Sequence, residues 1–452
     1  LFDTSTGAVV PLARRIPGEV SMYVCGPTVY GPPHLGHGRF ALVFDVLRRY
    51  LMWSGDDVVY VSNITDVDDK IIDRAAAENT TSDAVAHHWE QVWWQAMDRI
   101  GVLRPTHDPH ATAYIDDMVR LVAGLVDTGA AYVLNDGVYF DSSVVSDYGL
   151  LARQSLDSLR AGARVDIDDA KRAPTDFALW KLAKPGEPSW PSPWGPGRPG
   201  WHTECVVMSL DLLGDGFDLH GGGADLAFPH HENERAQAVA CGRPFARHWM
   251  HNGFVEVGGE KMSKSLGNFT DLTDLCDRHD PRAYRLLVLR SHYRSPVEVS
   301  EASATDASRA LERLDAFARR MAPLLADGTV AADPAVLDAF ARSMDDDLDT
   351  PAVMDLVFTT VRSANALADA GDTAAAALLG AAVVEVCAAV GLMLDAGAAD
   401  ADVPAELLEL ARQRDAARAD RDFAAADDLR DRIQAAGWVV EDTADGTALR
   451  PG

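Results

Sequence analysis

Two apolar runs flank a helical one near the start of the chain. Residues 21–26 (SMYVCG) and 57–62 (DVVYVS) read as strands, and residues 40–53 between them as an amphipathic helix. The second run is almost continuously apolar, the pattern of a strand buried on both faces. Strand, helix, strand is a βαβ unit, and it commits the chain to an α/β domain built on a parallel sheet. Sheet-like sequence resumes only at residues 217–219. Before it comes a stretch, 184–201, so rich in Pro, Gly and Trp that it fits neither a helix nor a central strand. Residues from about 113 to 200 therefore read as an insertion into one α/β domain. From about residue 302 the pattern is helical, with acidic faces and breaks at 327–329, 349–351 and 396–404. The segment from 405 onward reads as helix, turn, helix and a short hairpin.

The chain has 452 residues, enough for about three domains. With 47% hydrophobic and 24% charged residues it is a globular sequence, not a disordered one. Five cysteines without paired local spacing exclude a disulfide scaffold and fit a reducing compartment. Residues 1–15 lack the basic and apolar regions of a secretory leader, so none is expected there. Residues 374–394 are apolar except for Glu385, but Asp372 and Asp395 flank them and Ala and Gly dominate, which fits a packed bundle helix and no membrane span. A formal charge of −28 argues, at first sight, against nucleic acid as a partner.

His34-Leu35-Gly36-His37 falls between the first strand and the helix. A helix start offers free N–H groups and the positive end of the dipole, and Gly36 lets a phosphate or base reach the backbone. Taken alone, the pattern fits two solvated loop histidines equally well. Lys261-Met262-Ser263-Lys264-Ser265 stands in a glycine-flanked loop. The chain has lysine only at 70, 171, 181, 184, 261 and 264, so two in one loop are conspicuous. Paired ammonium groups on a pliable loop can follow a shifting polyphosphate better than guanidinium forks. His220-Gly221-Gly222-Gly223-Ala224-Asp225 follows the resumed strand. Glycines there would admit adenosine and Asp225 would accept from ribose hydroxyls, although a plain glycine turn explains the motif by itself.

Four further motifs surround these: Tyr23-Val24-Cys25-Gly26-Pro27-Thr28-Val29-Tyr30, Asn63-Ile64-Thr65-Asp66-Val67-Asp68-Asp69-Lys70, Gly200-Trp201-His202-Thr203-Glu204-Cys205 and Phe228-Pro229-His230-His231-Glu232-Asn233-Glu234. With the histidine and lysine motifs, which match the HIGH and KMSKS signatures, the chain resembles class I cysteinyl-tRNA synthetases over essentially its whole length. It departs at Gly31-Pro32-Pro33, where the family more usually carries an acidic or amide residue after the tyrosine. The resemblance implies a Rossmann-like parallel-sheet catalytic domain in two halves, 1–112 and 198–248, around an inserted connective subdomain, 113–197. It implies a KMSKS-loop and stem-contact region at 249–301, an anticodon-binding helical bundle at 302–404 and a small C-terminal α+β anticodon module at 405–452. The activity it implies is ATP-dependent attachment of L-cysteine to the 3′ end of tRNA(Cys) through cysteinyl-adenylate. Mg²⁺ would accompany the ATP, and the enzyme would be a cytoplasmic monomer without membrane association.

By the same resemblance His34, His37, Lys261 and Lys264 are catalytic, Gly36, Gly222, Asp225 and Lys264 contact ATP, and Thr65 and Trp201 line the cysteine pocket. A zinc ion would sit on Cys25, Cys205, His230 and Glu234. The residues by themselves leave that open. His230 and Glu234 are i,i+4 and share a helix face if Pro229 lies in its first turn, but Cys25 and Cys205 are 180 positions apart and spacing alone favours buried structural cysteines. His231 is the nearest alternative ligand, Trp201 could be a loop anchor, and Cys241, Cys276 and Cys387 are expected in the core. Direct binding of a thiolate to zinc separates cysteine from serine by more than shape can, so no editing pocket is expected. Two other readings share these motifs: a cysteine–amino-sugar ligase of mycothiol biosynthesis, which needs no anticodon-reading tail, and an inactive paralogue that binds RNA.

The charge is unevenly spread. Residues 321–410 hold sixteen acids against Arg342 and Arg362, a balance of −14, half the total. Residues 278–320 carry nine arginines and a balance of +3, and residues 411–452 seven arginines and −2. The two arginine-bearing segments are therefore the expected tRNA-facing surfaces, and the acidic helices between them the expected solvated faces.

Overall fold

A computed structural model of the chain describes residues 1–154, 171–258, 260–261, 271–326, 328–397, 404–419, 422–443 and 446–451. After a short antiparallel pairing of β1 (Phe2–Asp3) with β2 (Ala8–Val9), the βαβ unit follows: β3 (Glu19–Val24), α1 (Leu35–Trp53) and β4 (Asp57–Val61). β3 and β4 are parallel, with Glu19 opposite Asp57 and Tyr23 opposite Val61. Helix α1 starts five residues earlier than expected. His34 caps it: its Nδ1 accepts from the His37 N–H at 3.3 Å, and the His37 Nδ1 accepts from the His34 N–H at 3.2 Å. Ser, Thr, Asp and Asn are the usual caps, so residue preference misses this turn.

Helices α2 (Asp69–Glu78), α3 (Ser82–Arg99) and α4 (Ile115–Asp127) lead into the inserted segment. Its described part is an antiparallel sheet of β5 (Ala131–Leu134), β6 (Gly137–Phe140), β7 (Phe177–Leu182) and β8 (Gly197–Pro199), in that spatial order. β8 lies in the Pro/Gly/Trp stretch and is an edge strand, the position where proline is tolerated. Trp201, read as part of an irregular stretch, instead opens α5 (Trp201–Leu212), which puts Cys205 on that helix's second turn.

The sheet then resumes with β9 (Leu219–Gly223) and, after α6 (Glu232–Ala240), β10 (His248–Asn252), giving the all-parallel order β10-β9-β3-β4. The three glycines expected in a turn are thus part of the strand. A Cβ on Gly221 would lie 2.3 Å from the Phe44 ring of α1, and one on Gly222 2.9 Å from the His231 ring. The neighbours fill the space a side chain would need. Pro229 follows a break at Phe228 and lies in the helical turn Ala227–His231 that runs directly into α6, which puts His230 and Glu234 one turn apart on the same helical run.

β11 (Val255–Val257) pairs with β12 (Glu260–Lys261) and with β13 (Val297–Glu298), which α7 (Leu272–Arg278) and α8 (Pro281–Leu289) precede. Helices α9 (Glu301–Leu325), α10 (Pro334–Asp345), α11 (Thr350–Asp369) and α12 (Thr373–Ala389) share an apolar core with α1 and α8, Leu42, Leu286, Leu314, Phe340 and Val383 all being buried in it. The apolar helix α12 is part of this packing, and its Glu385 accepts from the Trp53 indole N–H at 3.0 Å. Among the described residues no helix is long and apolar enough to cross a membrane. Leu1–Leu394 form one packed unit. A second unit, Asp395–Gly452, contains α13 (Ala405–Ala419), α14 (Phe423–Ala435) and the hairpin β14 (Trp438–Thr443) with β15 (Gly446–Pro451).

The structure corrects the charge reading at two places. Arg285, one of the nine arginines assigned to an RNA-facing surface, is 1% exposed and pairs with Asp45 at 2.7 Å while donating to the carbonyls of Gly101 and Val390. It ties α8 to α1 and cannot reach RNA. Arg290 and Arg294 are paired with Asp306 and Asp347. Asp347, in the stretch expected to be solvated, is 3% exposed and accepts from the Tyr293 hydroxyl at 2.7 Å.

Candidate active site

Parallel strands present their carboxyl ends on one edge, and the loops leaving them frame a crevice there. Here the loops after β3, β4, β9 and β10 and the starts of α1 and α5 enclose a cleft of about 330 Å³. The β3 and β4 loops are laced together: the Thr65 N–H donates to Pro27 O at 3.0 Å, the Val29 N–H to Thr65 O at 3.2 Å, and the Gly26 N–H to Asn63 Oδ1 at 2.9 Å. A Cβ on Gly26 would fall 1.7 Å from Asn63 O, so only glycine permits this approach.

On the cleft floor four donor atoms converge. Cys25 Sγ lies 3.6 Å from Cys205 Sγ and 3.5 Å from Glu234 Oε1. His230 Nε2 lies 3.7 Å from Cys205 Sγ and 3.0 Å from Glu234 Oε1. A tetrahedral ion with metal–ligand bonds of about 2.0–2.3 Å requires ligand–ligand edges of roughly 3.3–3.8 Å, so these four atoms can hold a metal with small adjustments. All four residues are buried. Neighbours orient them: His220 Nε2 meets Glu234 Oε2 at 2.7 Å, the His202 and His230 Nδ1 atoms are 2.8 Å apart, and the Trp201 ring stacks on His230 at 4.0 Å. Burial drives the His230 pKa well below the usual range, and that of His202 down to about 3, which keeps both rings neutral and able to act as ligands or acceptors.

A second, overlapping set consists of Cys25, His220, His231 and Glu234. His231 belongs to this set and not to the first. Cys25, Cys205 and His230 of the first set line the cleft, whereas of the second set only the shared Cys25 does. Thr65 is buried beside it, donating to Glu204 Oε2 at 2.9 Å and accepting from Asn63 Nδ2 at 3.2 Å. Burial raises the Glu204 pKa well above the carboxylate range, against the opposing pull of the Thr65 hydroxyl.

At the other end of the cleft the His34 and His37 rings stack at 3.6 Å, with Gly36 between them on the wall. Backbone N–H groups occupy both Nδ1 atoms, so each ring presents its N–H on Nε2. Asp225 and Gly223 also line the cleft, but Gly222 does not. It packs against His231. Lys261 lies in β12, and Lys264 falls within 262–270, outside the described residues.

The tRNA synthetases class I (C) catalytic domain family matches residues 12–309, and the DALR domain family residues 339–395. A cysteine–tRNA ligase of Alkalilimnicola ehrlichii is 47% identical over 96% of this chain and 96% of its own length, and one of Halorhodospira halophila is 45% identical over 100% and 99%. The chain belongs to the cysteinyl-tRNA synthetase family. The fold is shared more widely: a Mycobacterium tuberculosis methionyl-tRNA synthetase bound by methionyl-adenylate superposes with a TM-score of 0.61 at 16% identity, covering 83% of this chain and 90% of that one.

Within this synthetase fold, several residues that shape the cleft carried no role in the sequence reading. Asn63 braces Gly26, Glu204 braces Thr65, and His202 and His220 brace His230 and Glu234. All four sit inside the recognised motifs, and that position was the available signal. Of the remaining cysteines, Cys276 and Cys387 are buried in the core, while Cys241 is half-buried at the edge of an apolar cluster.

Proposed function

We propose that the chain activates L-cysteine with ATP and transfers it to the 3′ end of tRNA(Cys), as a cytoplasmic monomer. The observation that carries this reading is the two-sulfur, one-nitrogen, one-oxygen cluster on the floor of a cleft whose far wall is the His34–His37 turn. Cys25, Cys205, His230 and Glu234 would hold zinc, for which that donor mixture is suited. When bound, zinc supplies a soft Lewis acid for the substrate sulfur, a preference a serine hydroxyl cannot copy.

The chain's own residues do the remaining work by position. Trp201, stacked on His230, and Thr65, held by Glu204 and Asn63, shape the cysteine pocket. The substrate carboxylate is already ionised at neutral pH, so its attack on the α-phosphorus of ATP needs no general base. What the reaction needs is alignment and stabilisation of the charge moving onto pyrophosphate. His34 and His37, with Nε2–H donors at a helix start, hold the phosphates. Gly36 and Asp225 bound the nucleotide, and Lys261 and Lys264, with Mg²⁺, meet the leaving group. A ribose hydroxyl of the tRNA then takes the cysteinyl group and AMP leaves.

The test is cysteine-dependent ATP–pyrophosphate exchange followed by charging of unfractionated tRNA. Both are expected. Exchange without charging would instead favour the amino-sugar ligase, which the relatives' match through the C-terminal unit disfavours. Absence of both would favour an inactive paralogue. Deleting residues 395–452, a separate packing unit, is expected to leave exchange within about twofold of the full chain and to lower kcat/KM for tRNA by about tenfold or more. Equal loss of both activities would refute that division.

A further inference from the structure

Arg39 is a buried cation two residues past the His34–His37 turn, 1% exposed. Among the described residues its hydrogen bonds go to carbonyl oxygens: Phe254 O at 2.5 Å, Ser295 O, Tyr293 O at 3.2 Å and His292 O at 3.4 Å. Burial lowers its pKa to about 10, so it remains charged at neutral pH. Glu256 favours its charge through space, yet desolvating a guanidinium is costly and an apolar residue of similar volume would stabilise such a core about as well. Geometry explains the cation better than stability does. A planar fork can engage carbonyls from two segments at once, which a single ammonium cannot.

The first of those segments lines the cleft: Asn252, Gly253, Phe254 and Val255 are on its wall, as are His34 and His37. Phe254 also accepts from the Val297 N–H at 3.0 Å, and the strand that follows it carries β12, with Glu256 opposite Lys261. We propose that Arg39 is a positioning residue for ATP, whose guanidinium fixes the 252–255 wall against the first turns of α1 and so sets the width of the nucleotide half of the cleft. The inference rests on the proposed use of ATP at this site.

The full-length protein and its R39K and R39M variants would be compared in cysteine-dependent ATP–pyrophosphate exchange, with thermal melting as a check on folding. KM for ATP is expected to rise about tenfold in R39M and about threefold in R39K, with KM for cysteine changed less than about twofold in either. A purely structural role would lower the melting temperature and leave KM for ATP at the wild-type value. That outcome, or an equal rise in both KM values, overturns the proposal. Should R39M fail to fold, R39K decides. Should the wild type show no exchange, the function reading has failed on its own account. ATP affinity measured by calorimetry then tests Arg39: weaker binding by R39K supports the role, and equal binding by the two proteins removes it.

Discussion

Replacing Cys205 with serine is expected to strip the cleft-floor metal and to slow cysteine-dependent pyrophosphate exchange by about 10³-fold. Losing a partner that merely orients a ligand costs about 10–100-fold in metal affinity or activity, and losing a ligand itself costs more. Serine keeps the size of the side chain but offers a hydroxyl that does not ionise near neutral pH and is a poor soft donor. The site cannot adapt cheaply, since Cys205 is 1% exposed on α5 and its sulfur is already 3.7 Å from His230 Nε2. Metal content by mass spectrometry and exchange kinetics decide the matter together. Full metal content in the variant would place the ion on Cys25, His220, His231 and Glu234, the set that does not include Cys205. Exchange within about threefold of wild type despite metal loss would separate the metal from cysteine activation altogether.

Lys264→Ala is expected to slow exchange by about 10²-fold, with KM for cysteine unchanged. A charge that acts only on the departing pyrophosphate stabilises the transition state more than the bound substrates, so its loss appears in kcat. The expectation rests on the sequence: Lys264 is one of two lysines in a loop of a chain that otherwise uses arginine. The other, Lys261, pairs through its backbone with Glu256, on the strand that follows the cleft wall. A rate within about threefold of wild type would remove Lys264 from the mechanism.

The two kinds of feature were unequally legible in the sequence. The β3–α1–β4 unit was legible because strand and helix periodicities are local. Its boundaries were less so, since His34 caps α1 through a reciprocal bond to His37 that residue preference does not anticipate. The strand character of residues 221–223 was hidden, because glycine has low strand preference and these glycines are accommodated by Phe44 and His231, which come from elsewhere in the chain. The Pro/Gly/Trp stretch concealed both an edge strand and the start of α5 for the same reason: tertiary partners overrode composition.

The sequence by itself determined the parallel α/β architecture, the family and the residues present in each motif, since all of these are carried by neighbours along the chain. Only the tertiary structure decided which of those residues meet. Parallel strands are joined by crossovers, so Cys25 and Cys205, 180 positions apart, reach the same sheet edge only once the intervening sheet and helices are in place. Burial was decided there as well. It took Arg285 away from any RNA surface, gave His231 a place in a second donor set beside a contact to His251, and bound Arg39 to the Phe254 carbonyl beneath the cleft wall. A side chain's chemistry is written in its position along the chain, but its partners depend on distances that the fold alone creates.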